Sequence, residues 1–110
     1  MKIAIPTNDR KTVAERSGRA AEFAVIEINE KGVIKSEYLI NGHEHTHHAD
    51  GSADNEDHGH GDMVDLLEGV ELIIGKKFGV HFSRDFHNAG VKMIRTKFDS
   101  IDDVIESIEF

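Results

Sequence analysis

Six of the eight histidines fall between Asn41 and Gly61: His43, His45, His47, His48, His58 and His60. Neutral imidazole is the commonest side-chain ligand for zinc, nickel, cobalt and copper(II), at zinc-nitrogen distances of about 2.0–2.1 Å. In an extended backbone, residues two apart face the same way with Cα atoms roughly 6.6 Å apart, so His43, His45 and His47 could present rings on one side. His58 and His60, separated by Gly59, could fold back to complete a tetrahedral set, helped by the glycines at 51, 59 and 61. Between Asn41 and Asp62 stand six acids (Glu44, Asp50, Asp54, Glu56, Asp57 and Asp62) with no lysine or arginine, and they account for -6 of the net charge of -8. Such carboxylates concentrate cations and can serve as oxygen ligands or as partners of the imidazoles. Binding here should weaken as pH falls through about 6.5, where protons compete for the ring nitrogens.

A second group has the opposite character. Gly75-Lys76-Lys77-Phe78-Gly79 lies between an apolar strand and a helix, with His81 just inside that helix. In open α/β sheets, ligands sit beyond the carboxyl ends of parallel strands. Backbone N–H groups at Gly75 and Gly79, the ammonium groups of Lys76 and Lys77, and the guanidinium of Arg19 together favour an anion such as a phosphate or a metal-sulfide cluster. His81 could ligate such a cluster or hydrogen-bond to it. The stretch does not match a P-loop, which needs Gly-x-x-x-x-Gly-Lys-Ser/Thr.

The positioning elements follow from hydrophobic periodicity. Lys2–Pro6 alternates and ends at a proline, predicting a first strand. Phe23–Ile28 and Val33–Ile40 predict a hairpin turning at Asn29-Glu30-Lys31-Gly32. The segment 41–61 contains only Ala49 and Ala53 as apolar side chains, so burial cannot offset the entropy of ordering it, and its length marks it as a functional insertion or a linker. Asp62 is placed to cap a helix bearing Met63, Leu66 and Leu67 and ending at Gly69. Val70–Gly75 predicts a buried strand. Phe78, Phe82, Phe86 and Ala89 recur at helical spacing up to Gly90, Val91–Thr96 predicts a last strand, and Ser100 opens a final helix bearing Ile101, Val104, Ile105 and Ile108. The order β-β-β-α-β-α-β-α predicts one α/β domain over residues 1–110, a mixed five-stranded sheet covered by helices.

Composition excludes several classes. There is no cysteine, so disulfides, thiolate catalysis and all-cysteine clusters are outside this chain's reach. The acidic balance argues against a nucleic-acid partner. No apolar run approaches a membrane span, and Pro6 with nearby charges interrupts any secretory signal, so a cytoplasmic location is expected.

Three stretches together resemble the dinitrogenase iron-molybdenum cofactor biosynthesis proteins (NifX/NafY-like): MKIAIPT at the start, SGRAAEFAVIEI from Ser17 to Ile28, and GVELIIGKKFGVHFSRDFHNAGVKMIRT from Gly69 to Thr96. The resemblance implies a ribonuclease-H-like fold and binding or delivery of a metallocluster, of iron-sulfur or iron-molybdenum type, to a cofactor-assembly or acceptor protein. Two departures stand out. The loop after Gly75 reads Lys-Lys-Phe-Gly-Val-His, where many members carry a small loop with Pro or Asn, and no cysteine can act as cluster ligand.

Nucleases of that fold hold two divalent ions on strand carboxylates, the first on strand one. Here strand one is Lys-Ile-Ala-Ile-Pro, Asp9 lies beyond it, and Glu71 stands alone. No Gly-x-Ser-x-Gly occurs, and Ser83 with His87 is an i, i+4 pair on a helix. The sequence therefore predicts a non-catalytic protein that binds or carries a metal or metallocluster. The alternative is a zinc, nickel or cobalt buffer or sensor acting through the histidine segment alone.

Overall fold

The computed structural model describes residues 1–41 and 59–108, the side chains of 59–62 excepted. Its strands are β1 (Lys2–Thr7), β2 (Glu22–Asn29), β3 (Gly32–Ile40), β4 (Leu72–Gly75) and β5 (Lys92–Arg95), and its helices are α1 (Gly59–Leu66), α2 (Val80–Asn88) and α3 (Ile101–Glu106). A short 3-10 helix, Ser17–Arg19, joins β1 to β2. The five strands form one sheet in the order β3-β2-β1-β4-β5. β1 pairs antiparallel with β2 and parallel with β4, β2 pairs antiparallel with β3, and β4 parallel with β5. The predicted element order and the mixed sheet are both present.

Boundaries differ from the periodicity at several points, for local reasons. β4 starts at Leu72 instead of Val70, because Gly69 (φ +90°) turns the chain out of α1 and the Val70 N–H bonds back to the Leu67 carbonyl at 3.0 Å. α2 starts at Val80 instead of Phe78, with Gly79 as its N-cap, and Phe78 stacks on Phe82 from the preceding turn with ring centroids 5.9 Å apart. Gly90 (φ +82°) follows the C-cap Ala89 and closes α2 in the left-handed conformation that glycine adopts at no steric cost. α1 opens at Gly59, ahead of Asp62, and α3 stops at Glu106, short of Ile108.

β1 is the central strand, and Ile3, Ala4 and Ile5 are completely buried. The period-2 alternation of its side chains divides the core in two. On one face, Ala4, Phe23, Val25 and Ile73 meet Met63, Leu67, Phe82 and Phe86 from α1 and α2. On the other, Ile3, Ile5, Ala24, Ile26, Ile28 and Ile74 meet Ile101 and Val104 from α3. Complete burial of a side chain such as Phe82 or Phe86 contributes about 1.5–3 kcal/mol. Among the described residues the α3 face is covered by that one short helix with Val13 beside it, which leaves the sheet's two margins on this side open.

The link from β1 towards the 3-10 helix is held by polar contacts. The Asp9 carboxylate accepts from the Thr12 N–H at 2.7 Å, the Lys11 N–H at 2.9 Å and the Thr12 hydroxyl at 2.9 Å. Thr7 Oγ1, fully buried, accepts from the Arg10 N–H at 2.9 Å and donates to the Thr12 carbonyl at 2.7 Å.

Candidate functional site

β1 and β4 run parallel, and the chain leaving each carboxyl end turns over the same edge of the sheet. From β1 the chain returns alongside its own strand, with Ala14 N–H on the Pro6 carbonyl at 2.8 Å, and enters the 3-10 helix. From β4 it crosses to the first turn of α2. The Ser17 N–H donates to the Lys77 carbonyl at 3.0 Å and ties the two turns together. This approach is close: a Cβ on Gly75 would lie 2.6 Å from Ser17 Oγ and 3.3 Å from both Phe78 and Pro6. Only glycine fits there. Ser17 Oγ is buried and has no hydrogen-bond partner among the described residues.

Between these turns lies a cavity of about 770 Å³, lined by Arg16, Gly18, Arg19, Ala20, Asn41, Lys77, Phe78, Gly79, Val80, His81 and Phe82. Its volume falls within the range of small-molecule and cofactor sites. Arg16, Arg19 and Lys77 bring three positive charges, and among the described residues no carboxylate is in the lining and none of the three cations makes an ion pair. α2 points its N-terminus at the same space. Its cap Gly79 offers no side-chain acceptor, and the first helical bond is from the Ser83 N–H to the Gly79 carbonyl at 2.9 Å, so the first-turn N–H groups of Val80, His81 and Phe82 lie ahead of the helical ladder. The N–H groups of a helix's first turn and the helix dipole both favour negative charge there. Phe78, Val80 and Phe82 supply an apolar wall, and Val80 is 78% exposed.

His81 stands at the cavity with its Nδ1 3.0 Å from Arg84 Nη2. A guanidinium can only donate, so Nδ1 accepts and the ring proton of neutral His81 resides on Nε2. In this arrangement the ring's second nitrogen is a hydrogen-bond donor, which suits an anion and not direct ligation through Nε2.

Of the residues singled out in the sequence, Arg19, Lys77, Gly79 and His81 line this one cavity, and Gly75 forms the close contact beneath it. Lys76 is placed elsewhere. Its ammonium pairs with Asp99, and that hydrogen bond raises its pKa above the ordinary lysine value, with Glu15 adding to the effect. Arg16 and Asn41 line the cavity and carried no sequence signal beyond Arg16 standing three residues before Arg19. Asn41 is buried, donates from its side chain to the Ala20 carbonyl at 2.9 Å, and is the last described residue before the histidine segment. His43, His45, His47, His48 and His58 lie outside the described residues, as does the side chain of His60, whose backbone is in α1. Among the described residues, no group of three or more His, Asp or Glu could hold a metal ion. No helix among them is long and apolar enough to cross a membrane.

The family model described as dinitrogenase iron-molybdenum cofactor matches residues 1–109. No protein with a curated description matches the sequence. Solved structures share the fold: the protein PH0822 superposes with a TM-score of 0.74 at 20% identity, covering 97% of this chain and 88% of its own. The apo form of the orange protein from Desulfovibrio gigas gives 0.70 at 20% identity, covering 96% and 83%. The MJ0327 protein from Methanocaldococcus jannaschii gives 0.67 at 19% identity, covering 96% and 84%.

Proposed function

Because the chain belongs to the dinitrogenase iron-molybdenum cofactor family, we propose that it is a non-catalytic carrier that holds an anionic metal cluster, the iron-molybdenum cofactor or a related one, in the cavity between the 3-10 helix and α2. The observation that carries this reading is the cavity at a helix N-terminus whose charged lining, among the described residues, is Arg16, Arg19 and Lys77 with no carboxylate. With no cysteine in the chain no thiolate is available, and the charged groups of the described lining are all nitrogen donors. Such a set suits a cargo that brings its own sulfide or oxygen ligands and is held by charge and hydrogen bonds. Arg16 and Arg19 would face the cluster's outer atoms, the α2 N–H groups and His81 would donate to them, and Phe78 and Phe82 would exclude water on one side. The sheet order, with β2 antiparallel to its neighbours, supports assigning the fold to the ribonuclease-H-like class. A cytoplasmic place of work and a cofactor-assembly or acceptor protein as partner complete the reading.

The experiment is anaerobic titration with an isolated or chemically assembled iron-sulfur or iron-molybdenum cluster, followed by absorbance and gel filtration. Replacing Arg16, Arg19 and Lys77 together by alanine should weaken retention at least about tenfold, since each charge-assisted contact is among the stronger hydrogen bonds. Salt should weaken wild-type binding as well. Undiminished retention by the triple variant would overturn the cavity as the site.

A second reading rests on the histidines at 43, 45, 47, 48, 58 and 60, which could buffer or sense zinc, nickel or cobalt. Replacing residues 42–58 with a Gly/Ser linker separates the two. A carrier keeps at least part of its cluster affinity, whereas a buffer loses its metal altogether. Elemental analysis of protein purified without an immobilised-metal column gives the ion.

A further inference from the structure

Among the described residues β5 is a margin of the sheet, hydrogen-bonded to β4 alone. Lys92 donates its N–H to the Glu71 carbonyl at 3.2 Å and Thr96 donates to the Gly75 carbonyl at 2.8 Å. Alternation along the strand therefore turns the N–H groups of Met93 and Arg95 away from the sheet, where they form an open template for another strand. The side chains beside this edge are not those of a protected margin. Ile94 stands in register with buried Ile74 on the α3 face and is 51% exposed, and Phe98, just past the strand, is 42% exposed. α3 stops short of them. A groove of about 860 Å³ runs over Leu72, Ile74 and Ile94, with Phe98 and Ile108 also in its lining.

Charge selects the occupant. Among the described residues, Lys92, Arg95 and Lys97 line the groove as exposed cations against one acid, Glu71, which already accepts from the Lys2 N–H at 3.3 Å. A second copy is disfavoured there by charge, since the chain carries -8 overall and two copies of the same cationic edge would be brought together. The opposite margin differs. β3 carries both Lys35 and Glu37, and an irregularity in its pairing at Glu27/Ile28 breaks its register.

We propose that β5 is a docking edge for an extended acidic peptide segment of a partner protein, which adds to the sheet as a sixth strand. Alternate apolar side chains of that segment fill the groove over Ile74 and Ile94, and its carboxylates, on the opposite face, meet Arg95 and Lys97. Backbone pairing supplies affinity and the alternating pockets supply specificity. β5 lies one strand from β4 and runs in the same direction, so the docked segment reaches the end of the sheet where the cationic cavity opens. The proposal does not depend on what that cavity holds.

The test uses the full chain and a short synthetic peptide alternating valine and glutamate. Two controls accompany it: the same peptide with lysine for glutamate, and the glutamate peptide with alternate backbone amides N-methylated. The glutamate peptide should bind and slow hydrogen exchange at the Met93 and Arg95 amides, with both controls at least about tenfold weaker. Ile94→Glu and the pair Arg95→Glu, Lys97→Glu should lose the same affinity at unchanged circular dichroism. Equal binding of all three peptides to the wild-type chain would overturn the proposal, as would protection appearing along β3 instead. Sedimentation of the chain alone as a dimer with Met93 and Arg95 already protected would assign the edge to a second copy and also overturn it.

Discussion

A methyl group on Gly75 would meet Ser17 Oγ at 2.6 Å, and Phe78 and Pro6 at 3.3 Å. Gly75→Ala should therefore lower stability by about 1–3 kcal/mol, the usual range for overpacking. Ser17→Ala removes both the obstructing oxygen and an unpartnered buried hydroxyl, so part of the loss should return in the double variant. Thermal denaturation of the four proteins decides it, and equal losses in both backgrounds would place the crowding elsewhere. Asp9 supplies a pH test. The backbone N–H groups of Thr12 and then Lys11, followed by the Thr12 hydroxyl, hold its carboxyl down at about 2. A folded value below the unfolded one, about 3.9, means that this stabilisation is fully present above that pH and fades as pH falls through about 2. Asp9→Asn should lower Tm at pH 7, with the gap to wild type closing between about pH 4 and 2. A gap that stays constant across that range would show that the charge is not what matters. At this scale the sequence was only partly legible. Lys76 and Lys77 look alike as neighbours, yet successive residues leaving a strand point to opposite sides, which sends one to Asp99 and the other to the cavity. Arg16 reaches the cavity through a 3-10 helix, an element too short to have any periodicity.

The elements themselves were more readable than the residues between them. Alternation announced β1, β-branched and aromatic residues around a glycine turn announced β2 and β3, and the spacing of Phe82 and Phe86 announced α2, with β1, β2 and α2 burying residues in the core. Ends were harder, since they are fixed by caps and turns whose bonds come from elsewhere in the chain. α2 loses Phe78 to a stacking contact outside the helix, and β4 loses Val70 to a turn closed on Leu67. Ser100 is the case where the cap signal was sufficient. Its hydroxyl accepts from the Asp102 N–H at 3.1 Å and the Asp103 N–H at 3.4 Å, with both acids in the first turn. Ser100→Ala should cost about 1 kcal/mol. The whole α3 face depends on this six-residue helix, so the loss should appear in global chemical denaturation. A variant with an unchanged midpoint would mean that α3 frays without consequence for the sheet.

For the whole molecule, strand polarity followed from the sequence because connection type dictates it: a glycine turn joins antiparallel β2 and β3, and a helix joins parallel β4 and β5. The grouping of cations into one cavity did not follow, because Arg16 and Arg19 approach Lys77 only once β1 and β4 lie side by side. Which margins of the sheet remain open was equally hidden, since it depends on where α3 ends in space. The central place of β1 has a further result for how the chain assembles. β1, β2 and β3 are consecutive and close on one another through local pairings, whereas the bond between β1 and β4 spans more than sixty residues, from Ile3 and Ala4 to Leu72 and Ile73. Closing the longer loop carries the larger entropic cost and is the slower step. As the polypeptide leaves the ribosome, the first half of the sheet can gather as a three-stranded meander that waits, with one side of β1 unpaired, for its parallel neighbour to be synthesised.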